Sequence, residues 1–211
     1  MPGWRVRVVP NLYPAFERQE VVIHTPRHVR TFAELTDEEI GFVAEAWNAR
    51  IATSGSAYIH PLINEGRAAG ASLPHTHSQL VWLPEPPPAL ETERPEGLSE
   101  VVELARDQNL VVAEADDLVA FCHPVASLPY ETLIASGADA TLTDALRLLR
   151  DLVSRLREAE GPVPWNAWLH HGATWHIELV PRLSVLAGLE LGAGIYVNSL
   201  PPEQAAENLR G

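Results

Sequence analysis

Hydrophobic and polar positions along the chain follow one order that occurs twice. In the first half, the β-rich run EVVIHTPRH, residues 20–28, precedes a segment with apolar residues at helical spacing, namely Ile40, Val43, Trp47 and Ile51. Thr36 and Glu39 stand three residues apart just before these positions, which is the pattern of a capping box. The first half therefore predicts a strand followed by a helix.

The second half repeats this order. The run YETLIASGADA, residues 130–140, is again typical of a strand, and Thr143 is the predicted N-cap of a second helix that ends at Gly161. Its apolar positions are Leu146, Leu149, Val153 and Leu156. Equivalent points lie at similar separations, as in the pairs Thr36 and Thr143, Asn64 and Asn166, and His75 and His176. We interpret this pattern as an internal duplication.

Between the two copies lies LPEPPPALETERPEG, residues 83–97, which is rich in proline and glutamate. Such a segment is not expected to pack and indicates a linker. We therefore predict two halves, residues 1–89 and 90–211. Two copies of strands flanking a helix, with hairpin-like connections, predict an α+β fold built on largely antiparallel sheet.

Composition narrows the class of protein. A formal net charge of −13 argues against binding to nucleic acid or to an anionic membrane surface, because polyanions would be repelled. The single cysteine, Cys122, excludes an internal disulfide, and no apolar run reaches the length of a membrane span. Charged residues interrupt the N-terminal region where a signal core would lie, which predicts a cytoplasmic protein.

Each of the two copies ends in a short motif that contains histidine. The first copy ends in SLPHTHSQLVWLP, with His75, His77 and Gln79 on alternate positions, and the second in ATWHIELVPRLS, with His176 and Glu178. On a strand, alternate residues share one face, so the two histidines and the glutamine would line one surface. Two histidines at this spacing fit a metal pair, a catalytic site or a structural role equally well.

The residues before the first motif favour phosphate chemistry. In NEGRAAGAS, Gly66 and Gly70 permit close approach of a ligand to the backbone, and Ser72 adds a hydroxyl group. A neutral imidazole held by a backbone carbonyl can attack phosphorus and pass the group on. Gln79 could donate a hydrogen bond to the phosphoryl group without activating water. These features predict nucleotidyl transfer in two displacement steps.

The chain resembles the galactose-1-phosphate uridylyltransferase family of the histidine-triad superfamily. The resemblance runs through WRVRVVPNLYPAF, INEGRAAGASLPHTHSQ, LPYETLIA, WHIELVPRLSVLAGLELGAGIYVN and PPEQAAENLR. It implies that His77 is the uridylylated nucleophile, that Gln79 contacts its phosphate and that His75 supports the strand or binds metal. It further implies phosphate contacts at Asn64 and Ser72, and we count Gly70 and His75 with them as substrate-binding residues. It also implies two histidine-triad-like halves in one continuous sheet, and a homodimer.

The chain departs from the family pattern at several points. Thr76 stands where the family has proline, and no C-P-F-C segment precedes the motif, so zinc at His75 is not expected. A second metal site of some family members resembles His171, His176 and Glu178, with Glu91 or Glu93 as a further ligand. Mixed imidazole and carboxylate ligands suit zinc or iron.

The predicted function is transfer of UMP between UDP-hexose and a hexose 1-phosphate through an adduct on His77. Phosphorolysis of ADP-glucose or of dinucleoside polyphosphates is an alternative, since the H-x-H-x-Q pattern is shared there. A non-catalytic nucleotide-binding protein is the alternative from another class, because binding would use His77 and Gln79 too.

Overall fold

The computed structural model describes residues 3–53, 55, 58–91, 95–172 and 174–211. In these residues nine strands are found: β1 (Arg7–Pro10), β2 (Gln19–Ile23), β3 (Tyr58–Glu65), β4 (His77–Leu83), β5 (Val111–Ala115), β6 (Leu118–Cys122), β7 (Thr132–Ser136), β8 (Trp165–His171) and β9 (Trp175–Pro181). Six α-helices accompany them: α1 (Asp37–Ile51), α2 (Pro88–Glu91), α3 (Pro95–Asp107), α4 (Leu142–Glu160), α5 (Gly188–Ala193) and α6 (Pro202–Arg210).

All nine strands belong to one antiparallel sheet. Their order is β1-β2-β4-β3-β8-β9-β7-β6-β5, so the halves meet where β3 pairs with β8. The predicted α+β class with one continuous sheet is confirmed. The division of the chain at residues 89 and 90 stays a prediction.

The helices cover the sheet unequally. On β7, neighbouring residues point to opposite faces, and Ile134 packs in the large core with α1 and α4, whereas Leu133 packs in a smaller cluster that includes Ala105 of α3. Helix α3 packs on the second half, and within the described residues the face of the first half opposite α1 is available for a site. His77 and Gln79 belong to this face, since Ser78 between them accepts a hydrogen bond from Trp47 of α1.

The helix starts test two capping predictions. The capping box of Thr36 and Glu39 is confirmed at the N-terminus of α1. The N-cap predicted at Thr143 is wrong: Thr141 caps α4, and its side chain accepts a hydrogen bond from the backbone N–H of Asp144 at 3.2 Å. Thr141 and Asp144 have the cap spacing of three residues, whereas Thr143 already lies in the first helical turn.

The predicted linker is partly helical, contrary to expectation. Helix α2 begins at Pro88 and helix α3 at Pro95, both inside residues 83–97. Proline is tolerated at the first helical position because that residue needs no hydrogen-bonded N–H. In the described part of the chain, no helix combines the length and the apolar character that a bilayer span requires.

The strand order reveals how the halves correspond. Both halves contain the order strand, strand, helix, strand, strand, which is β1, β2, α1, β3, β4 in the first half and β6, β7, α4, β8, β9 in the second. The second half adds α2, α3 and β5 before this order. On this basis β3 matches β8 and β4 matches β9 almost end to end. With Leu62 matched to its partner Trp168, Gln79, which pairs with Leu62, corresponds to Glu178, which pairs with Trp168. His77 then corresponds to His176. This register is shifted by two residues from the pairing of His75 with His176 that the sequence spacing suggested.

Candidate active site

His77 opens β4 at the mouth of a cavity. Its side chain is buried, and its Nδ1–H donates a hydrogen bond to the backbone carbonyl of His75 at 2.8 Å. The sequence argument required a carbonyl partner of this kind. With Nδ1 protonated, Nε2 is the nitrogen that carries the lone pair, which is the form needed for attack on phosphorus.

His75 lies just before β4 rather than on it. Its Nε2–H donates to the carbonyl oxygen of Thr25 at 3.0 Å, and its ring lies edge-on to that of His28. The predicted common strand face therefore holds for His77 and Gln79 only. The contact to Thr25 gives His75 a role in supporting the loop that precedes the nucleophile.

The glycine-rich loop forms one wall of the cavity. Gly66 and Gly70 both have positive φ, of 85° and 91°, as the sequence suggested. A side chain at Gly66 would collide with Pro164, at 2.9 Å from its Cβ, so glycine is required there. The chain from Gly66 to Ala71 folds back through a short 3₁₀ helix, Arg67–Ala69.

The cavity has a volume of about 860 Å³. Asn64, Ser72, His75 and His77 all line it, so the structure brings together four of the predicted site residues. Gly70 turns the loop beside them, and a Cβ there would lie 3.7 Å from Nδ2 of Asn64. A volume of this size suits a ligand as large as a nucleotide sugar.

Gln79 lies two residues beyond His77 on β4. Among the described residues it does not line the cavity, and its Oε1 accepts a hydrogen bond from Nε2 of Gln19 at 2.5 Å. That bond fixes the amide orientation, because the oxygen faces Gln19. The amide NH₂ group of Gln79 is therefore the end that remains as a donor for a ligand.

A second cluster lies in the other half of the sheet. The ligand atoms of His170, His176 and Glu178 lie within 4.8 Å of one another. Burial, with the nearby His170 and His123, lowers the pKa of His176 to about 4, so its ring is neutral at pH 7. Two imidazoles and a carboxylate at this distance form a donor set suited to a transition metal.

His171, predicted as a member of that cluster, lies outside it. Its Nε2–H donates to the carbonyl of Ile59 at 2.6 Å and its ring stacks on Tyr58. Consecutive residues of β8 point to opposite faces, and His170 shares the face of His176, with which it pairs. The residue at position 93 lies outside the described residues, and so does the side chain of residue 91, where a further ligand was predicted.

The two clusters occupy corresponding positions in the two halves. When Leu62 is matched to Trp168, Asn64 corresponds to His170, His77 to His176 and Gln79 to Glu178. The duplicated sheet thus presents two amides and one imidazole in the first half, with Asn64 and His77 lining the cavity, and one set of metal-type ligands in the other half.

Comparison with known proteins gives the family. The family model described as "Domain of unknown function (DUF4921)" matches residues 34–210. The chain belongs to this family.

Relatives of this DUF4921 protein include enzymes of known activity. It is 27% identical to ADP-glucose phosphorylase of Arabidopsis thaliana, over 99% of this chain and 75% of the relative. It is 25% identical to galactose-1-phosphate uridylyltransferase of Thermotoga maritima, over 90% of this chain and 73% of the relative. The resemblance to galactose-1-phosphate uridylyltransferases inferred from the sequence is thereby confirmed.

A solved structure has the same fold. The crystal structure of an ADP-glucose phosphorylase from Arabidopsis thaliana with bound ADP-glucose superposes with a TM-score of 0.88 at 26% identity, covering 100% of this chain and 83% of that one. The DUF4921 chain therefore shares its whole fold with a nucleotide-sugar enzyme.

Sequence reasoning missed three cationic residues of the DUF4921 site. Arg30, Arg67 and Arg157 line the same cavity as His77. The chain contains no lysine, so arginine is its only permanently charged side chain for binding phosphate. Arg67 lies within the glycine-rich loop and could have been found from that loop, whereas Arg30 and Arg157 come from distant segments that only the fold brings together.

Proposed function

We propose that the protein transfers a nucleotidyl group, UMP from UDP-hexose, through a covalent adduct on His77 to a hexose 1-phosphate. The observation that carries this proposal is the hydrogen bond from Nδ1–H of His77 to the carbonyl of His75 beside a cavity lined by Asn64, Ser72 and arginines. This bond engages Nδ1, so Nε2 is the ring nitrogen available for attack on phosphorus.

The chemistry would run in two displacements. Nε2 of His77 attacks the α-phosphorus, a nitrogen–phosphorus bond forms, and the bond from that phosphorus to the bridging oxygen breaks. Hexose 1-phosphate leaves with both electrons of the broken bond. In the second step, a phosphate oxygen of the acceptor attacks the same phosphorus and the imidazole leaves as a neutral ring. The His75 carbonyl stabilises the positive charge that develops on the ring between the two steps.

The cavity residues would hold the phosphates during both steps. Asn64 can donate an amide hydrogen bond, Ser72 can donate its hydroxyl, and Arg67 can contact an anionic oxygen from the loop. Gln79 lies outside the cavity lining, on the same face of β4 as His77, and its amide could donate to the phosphoryl group on His77. A protein with a net charge of −13 needs such local donors to bind an anionic substrate.

Phosphorolysis of ADP-glucose is the second candidate. It is favoured by the similarity to ADP-glucose phosphorylase, at 27% identity over 99% of this chain. The first displacement would be the same, with AMP in place of UMP, and inorganic phosphate would be the acceptor. The two candidates therefore differ in the base and in the acceptor, and not in the role of His77.

A transition metal is proposed for the second cluster. His170, His176 and Glu178 would supply two nitrogens and one oxygen. The buried Nδ1 atom of the half-buried His60 nearby lacks a hydrogen-bond partner within the described structure. Zinc or iron fits this donor set. Because the cluster lies away from His77 in the corresponding position of the other half, the metal would stabilise the sheet.

A homodimer is proposed as the working form. The stretch from Leu183 to Val197 exposes several large apolar side chains, among them Val185, Leu191 and Val197. Contiguous exposed apolar surface is typical of an interface. Light scattering after size exclusion would give the mass in solution.

The test of the proposed function is covalent labelling. The purified protein is incubated with UDP-glucose or ADP-glucose labelled at the α-phosphorus and is run on a denaturing gel. Label that survives denaturation and base but is lost in acid indicates a phosphoramidate. His77→Ala should carry no label, whereas His123→Ala, at a half-buried histidine in the other half, should keep it.

The result also separates the remaining alternatives. Label from UDP-glucose that hexose 1-phosphate removes supports the uridylyltransferase, and label from ADP-glucose that inorganic phosphate removes supports the phosphorylase. Tight binding of both compounds without label would show a nucleotide-binding protein and overturn the enzyme.

A further inference from the structure

Thr76, between the two histidines of the motif, is hydrogen-bonded through both its backbone N–H and its backbone carbonyl. Its N–H donates to the carbonyl of Val29 at 3.0 Å, and its carbonyl accepts from the N–H of His24 at 3.4 Å. These two hydrogen bonds tie the backbone of Thr76 to the segment that contains His24 and Val29.

The side chains add a third bond to this arrangement. Nδ1 of His24 lies 3.0 Å from Oγ1 of Thr76, and both residues are buried. Burial, with smaller effects of His77 and His75, lowers the pKa of His24 to about 3, so the ring is neutral at pH 7. The ring also lies edge-on against Phe32, at 5.5 Å between centroids. A neutral, packed ring gives the hydroxyl group of Thr76 one fixed partner.

The segment that holds Thr76 is itself tied to helix α1. Oγ1 of Thr25 donates to Oε1 of Glu39 at 2.5 Å, and Nε of Arg27 donates to the same oxygen at 2.7 Å. The carbonyl of Thr25 in turn accepts from Nε2 of His75. Residues 24–29, here termed the clamp segment, thus connect the capping box of α1 to both residues that precede His77.

We infer that His24 and Thr76 are positioning residues for the nucleophile. Their contact fixes the backbone between His75 and His77, so that the His75 carbonyl keeps its hydrogen bond with Nδ1–H of His77. His24 touches neither the substrate nor the reacting atoms in this role. It acts through Thr76 and the backbone. The inference rests on the proposed function for its kinetic consequence, but its structural consequence, the tautomer of His77, can be measured without substrate.

The first test removes the hydroxyl group of Thr76. Thr76→Val keeps the shape of the side chain and should lower the single-turnover rate of His77 labelling by about tenfold to 100-fold, as expected for a slightly misplaced reacting group. The KM for the nucleotide sugar should change little, because the cavity contacts are intact. Thr76→Ser restores the hydroxyl group and should recover most of the rate.

The second test changes the partner. His24→Ala should lower the labelling rate as Thr76→Val does, whereas His24→Asn, whose amide can occupy the place of Nδ1, should recover part of it. Nitrogen-15 NMR of the imidazoles, with the His77 signals assigned by their loss in His77→Ala, reports the tautomer directly. The fraction of His77 with a proton on Nδ1 should fall in Thr76→Val and His24→Ala.

Thr132→Val is the matched control. Thr132 is also fully buried, and its hydroxyl group donates to the carbonyl of Tyr130 at 2.8 Å in the other half. It should lose melting temperature without change in labelling rate or in the His77 tautomer. An unchanged tautomer in folded Thr76→Val and His24→Ala, or an equal loss of rate in Thr132→Val, would overturn the inference. If even the unaltered protein fails to label, the proposed function fails, and the tautomer measurement still decides the positioning role.

Discussion

Asn166 and Asn64 face each other on adjacent central strands, and Nδ2 of Asn166 donates to Oδ1 of Asn64 at 2.8 Å. The same amide also donates to the carbonyl of Ala69 in the glycine-rich loop at 2.8 Å. Asn166 therefore fixes both the amide of Asn64, with its NH₂ group left as a donor, and the loop beside it. One residue from the second half thus shapes the wall of the cavity that the glycine-rich loop forms in the first.

Removal of this amide should weaken both stability and substrate binding. Asn166→Ala leaves two partly buried acceptors without a donor, which should lower the free energy of unfolding by about 1 kcal/mol. It should also raise the KM for the nucleotide sugar, because Asn64 and the loop lose their fixed orientation. Urea unfolding and initial-rate kinetics measure the two effects. Asn198→Ala, which removes a side-chain bond to Ala126 far from the loop, should leave KM unchanged.

Gln79 should contact the phosphoryl group of the adduct without activating water. Its amide can donate a hydrogen bond to a phosphoryl oxygen but cannot accept a proton from water. In Gln79→His, an imidazole at this position could act as a general base, so the isolated adduct should decay at least about tenfold faster when no acceptor is present. Decay of the label on a denaturing gel measures this. Gln79→Ala, which offers no base, should form adduct more slowly without faster decay, and equal decay in both variants would contradict the role.

His24 makes the protein sensitive to mild acid. Its pKa lies at about 3 in the folded state and near 6.5 when unfolded, so the unfolded state binds the proton between these values. This contribution to stability is complete above pH 6.5 and is lost as the pH falls toward 3, with a slope of up to about 1.4 kcal/mol per pH unit.

Denaturant unfolding at a series of pH values checks this expectation. His24→Asn cannot titrate and should show a flatter decline of the unfolding free energy below pH 6.5 than the unaltered protein. His28→Asn, at an exposed histidine, should keep the original slope. Parallel curves for His24→Asn and the unaltered protein would mean that the ring is not buried as described.

The features that sequence predicted well are local ones. The capping box of Thr36 and Glu39 depends on residues three apart, and the positive φ of Gly66 and Gly70 depends on the residues themselves. The hydrogen bond between Nδ1 of His77 and a backbone carbonyl could also be predicted, because that carbonyl belongs to His75, two residues away.

The features that sequence could not predict depend on how the strands pair and on the face of the sheet to which each strand residue points. Spacing along the chain matched His77 to Glu178, but pairing across the sheet matches Gln79 to Glu178, because loops of unequal length separate the strands in the two halves. The clamp segment contacts Thr76, and Arg157 reaches the cavity, each from a distant part of the chain. Two adjacent histidines, 170 and 171, differ only in the side of β8 to which they point.

Because His170 and His171 point to opposite faces of the sheet, they provide a test for the metal. If His170, His176 and Glu178 hold an ion, His170→Ala removes one of three ligands and should lower the bound metal, measured by plasma mass spectrometry, at least about tenfold, the lower end expected for an altered metal site. His171→Ala is the matched control on the neighbouring residue: it loses the bond to Ile59 and the stacking on Tyr58, which should lower the melting temperature, but it should keep the metal. Glu178→Gln should lower the metal content as well, since a neutral amide is a poor ligand for zinc or iron. All three variants should retain measurable labelling at His77, because the cluster lies in the other half of the sheet.

Two outcomes would contradict these expectations. Equal metal content in His170→Ala and His171→Ala would exclude the ion from this cluster. Loss of labelling in Glu178→Gln without loss of metal or stability would mean that the second half takes part in the chemistry.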